Sequence, residues 1–392
     1  NETLPKGRKQ KTTALYDRFV NQGAVMGDSF GLENVLWFAN NKEDAHEEPT
    51  IKRSRSHDYV SKEVINVREN VGLIEVANFS KHEFKGPDAR KFLDHIMAGR
   101  LPKPGRISLS PMLSYRGKLC GDLTVACLDE NEFMVFGSGA AQEMHRRWFE
   151  SHLDKFNLSY SNRSDEYHGL SIAGPNSRKV LEKIVRDDVS NEKFKFRDSR
   201  RMFVGGVPAI INRISFTGEL GYEIYVAPHY QLKLYEELME AGKEFNIKPF
   251  GGRALMSMRL EKNWGAWTLD YRPDFTAKET GLDAFINWDK EFIGKESAQK
   301  ENSSNKLVPL IVETNEIDVT NNEAVLNGDQ SIGYVTSGGF AHFVNKSVAF
   351  TFVDQKNIKS ENKIQVEING DLFNCSIIKE PLYDPSGQKM RS

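Results

Sequence analysis

Apolar residues recur at helical spacing in two places, each after the same turn. Gly86-Pro87-Asp88-Ala89-Arg90-Lys91 leads into Phe92, Leu93, Ile96 and Met97, and Gly174-Pro175-Asn176-Ser177-Arg178-Lys179 leads into Val180, Leu181, Ile184 and Val185. Such spacing predicts two amphipathic helices, with the proline at the first helical position, where its missing N–H costs nothing. A short strand-like run precedes each turn (83–85 and 170–172). Two related strand–turn–helix modules predict a pseudo-duplicated α+β core. Further strands are predicted at 121–128, 132–136, 207–214 and 222–226, and helices at 142–155, 229–244 and 252–263. Beyond the polar run 301–306, short β-prone stretches (307–313, 331–336, 346–353, 363–378) alternate with Asn-Gly and Gly-Gly turns. That punctuation predicts a small antiparallel barrel or sandwich.

A length of 392 residues favours two or three domains. The formal net charge of −2 gives no reason to expect nucleic acid or an anionic membrane as partner. No apolar run approaches membrane-spanning length, and no secretory-type segment opens the chain, whose first residue is Asn1. Cys120, Cys127 and Cys375 form no Cys-x-x-Cys pair, so a cytoplasmic, reducing location is expected. The nine histidines show no metal-binding spacing, so no metal is expected. Residues 1–14 are basic and read as an arm, and the charge-dense stretch 40–56 reads as a solvated linker.

Three segments could carry chemistry. Ser215 to Tyr225 packs glycines, aromatics and carboxylates together, and alternation within its strand projects Glu223 from one face beside Tyr225. A carboxylate there is either a surface group or a grip for an N–H pair on a flat ring. Phe216 is either an ordinary core aromatic or part of that grip. Asp122 follows Gly121 and opens an apolar strand, so it either caps a turn or points into a site. Arg253 falls in the first turn of a helix after Gly251-Gly252, where the dipole disfavours a cation, so it is either a solvated arginine or has a carboxylate or anion partner nearby. Fingerprints for dinucleotides, nucleoside triphosphates and a serine nucleophile are missing from the sequence.

Taken in order, these pieces resemble the folate-binding aminomethyltransferases, the T-protein family of the glycine cleavage system. The likeness is strongest to the folate domain of dimethylglycine and sarcosine dehydrogenases. It runs through Thr13-Ala14-Leu15-Tyr16-Asp17, Arg68-Glu69-Asn70-Val71-Gly72-Leu73, Gly86-Pro87-Asp88-Ala89, Gly117 to Leu123, Phe216 to Glu223, Arg259-Leu260-Glu261 and Thr336-Ser337-Gly338. The resemblance implies an α+β, three-domain cloverleaf with a C-terminal antiparallel β-barrel. Its parts would be an arm and linker (1–56), a folate-binding core of two repeated modules (57–300) and the barrel (307–392). It implies tetrahydrofolate as cofactor, Asp122 as the catalytic aspartate, Glu223 as the carboxylate on the pterin and Phe216 as the aromatic beside it. Tyr225, Arg253, Met112 and Tyr115 complete the candidate cofactor contacts. In the T-protein an arginine lies four residues before the Arg of Arg-Leu-Glu, whereas here Leu255 has that place and Arg253 lies six before Arg259.

The implied activity is one-carbon transfer from an N-methylated amine or glycine-derived donor, giving methylene-tetrahydrofolate. Two other readings follow from the same family: demethylation giving methyl-tetrahydrofolate, and a non-catalytic folate-binding or assembly role. The dehydrogenases carry an FAD domain ahead of this one, so amine oxidation would fall to an FAD-containing subunit or domain.

Overall fold

A computed structural model describes residues 6–358 and 363–392; the first five residues of the expected arm lie outside it. The stretch read as arm and linker carries regular structure. A short helix α1 (Tyr16–Asn21) leads into a hairpin of β1 (Ala24–Ser29) and β2 (Leu32–Phe38). Leu15, Phe19 and Trp37 are fully buried. The charged segment that follows is largely exposed, as expected of a linker, but several of its side chains are tied to the rest of the molecule. Arg55 pairs with Asp44 at 2.7 Å, Arg53 with Asp318 at 2.9 Å, and the Trp37 indole donates to Glu47.

The core then forms in chain order. Helix α2 (Ser56–Glu69) precedes β3 (Val71–Glu75), β4 (Phe79–Lys85), α3 (Ala89–Ile96), β5 (Arg106–Leu113), β6 (Leu119–Asp129), β7 (Glu132–Ser138), α4 (Gln142–Glu150) and β8 (Ser159–Asn162). Next come β9 (His168–Ala173), α5 (Ser177–Ile184), β10 (Ser199–Val204), β11 (Val207–Asn212), β12 (Gly221–Val226), α6 (Gln231–Ala241), β13 (Ile247–Pro249) and α7 (Gly252–Glu261).

The repeat seen in the sequence is a repeat in space. One sheet runs β5-β6-β7-β4-β8, and the other runs β10-β11-β12-β9-β3-β13. In both copies a strand enters the Gly-Pro turn, a helix follows, and an antiparallel meander returns to pair with the first strand. Gly86 and Gly174 adopt φ of +135° and +132°, which a side chain would strain. The prolines sit within these turns, and the helices start two residues later at Ala89 and Ser177. The expected first-position proline is thus displaced, because the glycine turn needs both following residues before the helix opens.

Alternation along the strands gives each sheet two apolar faces, so it is covered on both sides. Phe92, Leu93 and Phe149 of α3 and α4 cover one outer face, and Val180, Leu181, Leu234 and Leu238 of α5 and α6 cover the other. The inner faces meet through Ile107, Ala126, Met134 and Phe136 on one sheet and Ile74, Ile210 and Tyr225 on the other.

A long loop with α8 (Ala277–Thr280) and α9 (Lys295–Gln299) leads to the barrel. Its strands are β14 (Asn305–Val312), β15 (Ala324–Asn327), β16 (Gln330–Ala341), β17 (Lys346–Asp354), β18 (Ile364–Ile368) and β19 (Asp371–Ile377), closed in the order β14-β17-β16-β15-β18-β19. The architecture is therefore α+β with a C-terminal antiparallel barrel, as expected. Among the described residues no helix is long and apolar enough to cross a membrane.

Buried ion pairs of the core are met by side chains of the barrel and the tail that follows it. Arg68 pairs with Glu261 at 2.6 Å and Glu219 at 3.0 Å, and its guanidinium lies 3.7 Å from the Tyr383 ring centre. Arg259 pairs with Asp270 at 2.7 Å, and Asp270 accepts from the Thr336 and Ser337 hydroxyls of β16.

Candidate active site

Glu223 stands in a cross-strand row on the inner face of its sheet. The row reads Ser199, Asn212, Glu223, Ser171 and Ile74, from β10 across β11, β12 and β9 to β3. Ile74, Ser171 and Glu223 form one wall of a small cavity, which Val76, Phe79, Ile214, Phe216 and Leu255 close with largely apolar surface. Phe216 comes from the bend that precedes β12. Arg68 holds that bend from behind by donating to the Thr217 carbonyl at 2.7 Å. The neighbouring acid Glu219 is consumed by Arg68 and the Tyr383 hydroxyl. Glu223 is the carboxylate that faces the cavity.

Tyr225 braces it. Its hydroxyl donates to Glu223 Oε2 at 2.8 Å, and its ring stacks on Phe136 with centroids 4.7 Å apart. The opposite residue on β9 is Gly169, where an added Cβ would lie 2.6 Å from the Tyr225 ring. A glycine is required there because the tyrosine ring lies on the backbone. Apolar surroundings push the Glu223 carboxyl up to about 7, against the Tyr225 hydrogen bond and the charge of Lys81, which both favour the anion.

Asp122 lies inside β6, not at a turn; the turn is the preceding hairpin loop at Ser114 to Lys118. Between them the pairing shifts: Met112 opposes Gly121 and Leu113 opposes Leu119, leaving Cys120 as the extra residue of a bulge. Bulges re-aim the side chains that follow. Asp122 shares its face with Thr124, and Thr124 lies opposite Phe136. The same inner layer therefore receives Asp122 from one sheet and Glu223 from the other. Among the described residues no side chain hydrogen-bonds to Asp122; its own backbone N–H is its partner, and burial pushes its carboxyl up to about 7. Tyr271, buried on the loop before α8, feels the charge of Asp122, and burial with that charge drives its phenol far up.

The remaining predicted residues lie elsewhere. Arg253 donates to Glu47 Oε2 at 2.9 Å and Ser56 Oγ at 3.0 Å, so it has the carboxylate partner, Glu47 of the charged segment. It does not line the Glu223 cavity, and Leu255, two residues on, does. Met112 is buried beneath α3 and α4 and, with Cys120, His145 and Trp148, lines a separate surface cavity. Tyr115 is exposed and packs on Trp148 and His152 near it. Neither is brought to Glu223. Ser171, Ile214 and Tyr271 were not singled out in the sequence, and Leu255 was marked only as standing where the T-protein has an arginine. Ser171 alone had a visible signal, a polar residue alternating with Leu170 and Ile172 in a predicted strand. Among the described residues no cluster of three or more His, Cys, Asp or Glu could hold a metal.

Comparison with known proteins places the chain in a family. Residues 15–290 match the GCVT N-terminal domain, and residues 305–384 match the glycine cleavage T-protein C-terminal barrel domain. The chain is 33% identical over 381 residues to the mitochondrial dimethylglycine dehydrogenase of Mus musculus, covering 95% of this chain and 44% of that relative. It is 28% identical over 378 residues to an aminomethyltransferase of Thermotoga sp. (strain RQ2), covering 95% and 98% of the two chains. The crystal structure of glycine cleavage system aminomethyltransferase T from Bartonella henselae superposes with a TM-score of 0.82 at 22% identity, over 96% of this chain and 99% of that one, which shows a shared fold.

Proposed function

Because the chain belongs to the glycine cleavage T-protein family, we propose that it is a tetrahydrofolate-dependent one-carbon transferase, with Glu223 gripping the pterin and Asp122 serving the transfer. The observation that carries this reading is the cavity whose wall pairs a braced carboxylate with the aromatic Phe216 amid apolar side chains.

The chemistry of that wall suits a pterin. The ring presents an amine and N–H groups, which an ionised Glu223 accepts in parallel. Its flat face suits Phe216, and Ile74, Val76 and Leu255 exclude water from its edges. When bound, tetrahydrofolate supplies the N5 and N10 amines that capture the carbon. Tyr225 keeps the Glu223 carboxylate in one orientation. Asp122 enters the same layer with no side-chain partner among the described residues, placed to stabilise a cationic donor or to move a proton. A group whose midpoint lies near 7 is suited to proton transfer at neutral pH. Enclosure keeps a formaldehyde equivalent from escaping to water.

The donor in this reading is an N-methylated amine or a glycine-derived aminomethyl group. An FAD-containing dehydrogenase domain or subunit supplies the oxidation where the donor needs one. Support for this comes from the likeness to dimethylglycine dehydrogenase, of which the chain spans 44%. The test is calorimetric titration with tetrahydrofolate, followed by turnover with amine donors with and without a flavoprotein, and mass spectrometry of the product. No binding at any concentration refutes the reading. A methylene product supports the aminomethyl route, and a methyl product replaces it with demethylation.

A further inference from the structure

Superposing the two copies by their strand pairing isolates one lysine. Lys81 on β4 lies opposite Phe136, whereas the second copy has Gly169 opposite Tyr225. Phe136 and Tyr225 stack on one another. Where the second copy has no side chain, the first sends a four-carbon stem into the layer between the sheets. The stem carries the amine to 5.8 Å from the Tyr225 ring centre, and Lys81 is fully buried. Nζ donates to the Ala77 carbonyl at 2.8 Å and the Ser164 carbonyl at 3.4 Å. Among the described residues it has no ion-pair partner within 4 Å.

An ammonium removed from water without a contacting anion is costly, so more distant charges decide its state. Those favouring the cation are Asp165 in the loop after β8, Glu75 at the end of β3 and Glu223 on β12; Lys11 opposes it. His82 on its own strand and His168 on β9 also feel its charge. Asp165 is already paired with Lys11. Glu75 receives hydrogen bonds from Thr13 and Gln231. Among the described residues, Glu223 has only the Tyr225 hydroxyl.

We propose that Lys81 is a positioning residue for the candidate site, placed behind Tyr225 so that its charge keeps Glu223 an ionised acceptor. The proposal rests on the reading of Glu223 as the ligand-gripping carboxylate. Burial drives the two groups in opposite directions, Lys81 down and Glu223 up, each to about 7, and each charged form supports the other. Without the cation, only the Tyr225 hydrogen bond opposes the burial of the Glu223 charge.

The experiment uses the full chain, with Lys81→Met to remove the charge and Lys81→Gln as a second neutral variant that can still donate to Ala77. The first readout is a carboxyl titration by NMR with 13C-labelled glutamate, the Glu223 signal being assigned by Glu223→Gln. In either neutral variant the Glu223 midpoint should rise. The second readout is tetrahydrofolate affinity between about pH 6 and pH 9. The variants should lose binding near neutral pH and recover it toward the alkaline end. An unmoved Glu223 midpoint overturns the proposal, as does a loss of affinity that is equal at every pH. The NMR readout needs no folate. A shifted midpoint in a chain that binds no folate would uphold the coupling and refute the folate reading.

Discussion

The two copies share a frame and divide the chemistry. By register, Phe136 of the first corresponds to Tyr225 of the second, because each lies in its third meander strand opposite a matching position (Thr124 and Ile210). Two residues back, the first copy has Met134 where the second has Glu223. At the place of Asp122 the second has Pro208, and at the place of Gly169 the first has Lys81. The duplication therefore supplies a layered scaffold with two inner faces, and single-residue differences give each face its role. One face presents the acid proposed for the transfer, and the other presents the acid proposed for binding.

That division makes the two carboxylates fail in different ways. Asp122→Asn is expected to lower folate-dependent transfer by roughly 10²- to 10⁴-fold while tetrahydrofolate affinity stays within a few-fold, read by turnover and calorimetry on the same preparation. Equal losses in both would dissolve the distinction between the copies.

Glu223→Gln is expected to weaken tetrahydrofolate binding by about 10- to 100-fold, the loss of a charge-assisted pair. The pH dependence has a definite sign. The Glu223 midpoint is raised to about 7, so the ionised acceptor is present above that pH and is lost as pH falls through it. Wild-type affinity should drop on acidification, and the amide should flatten the profile. Stability runs the other way. Asp122 and Glu223, both with midpoints raised by burial, favour the fold at pH values below their unfolded midpoints. They cost stability as pH rises through about 7. Either amide should therefore raise Tm by roughly 2 °C or more at mildly alkaline pH, with little gain in acid, measured by scanning calorimetry.

Gly169→Ala probes the asymmetry opposite the stacked rings. Its Cβ would meet the Tyr225 ring at 2.6 Å, so about 1–3 kcal/mol of stability should be lost in urea unfolding. The displaced Tyr225 hydroxyl should also weaken folate binding. The smallest effect is expected at Arg253→Ala. This arginine is partly exposed and engaged with Glu47, so folate affinity should be nearly unchanged and stability should fall by up to about 1 kcal/mol. A large loss of affinity there would move the binding face toward α7.

Much of this frame was legible in the chain itself. The twin Gly-Pro turns announced the duplication, and strict alternation through Tyr222 to Val226 placed Glu223 beside Tyr225. Short-range periodicity carries both signals. What stayed hidden depends on distant partners. Arg253 and Glu47 are separated by 206 positions, and Arg53 and Asp318 by 265, so the charged segment read as solvated. The β1–β2 hairpin is interrupted by Gly23, Gly27 and Gly31, which blur its alternation. Lys81 alternates with Glu83 and Lys85 and reads as a wet strand face. It is buried because a second sheet, built a hundred residues later, packs against that face.

Arg68 governs how the molecule comes apart. It joins the bend bearing Phe216, the end of α7 and Tyr383, on the tail that leaves the barrel. Detaching the barrel would take Tyr383 away from both Arg68, which lies over its ring, and Glu219, which accepts from its hydroxyl. Heating is therefore expected to melt barrel and core in one cooperative transition, and a ligand seated against Phe216 would brace the barrel through the bend that Arg68 holds.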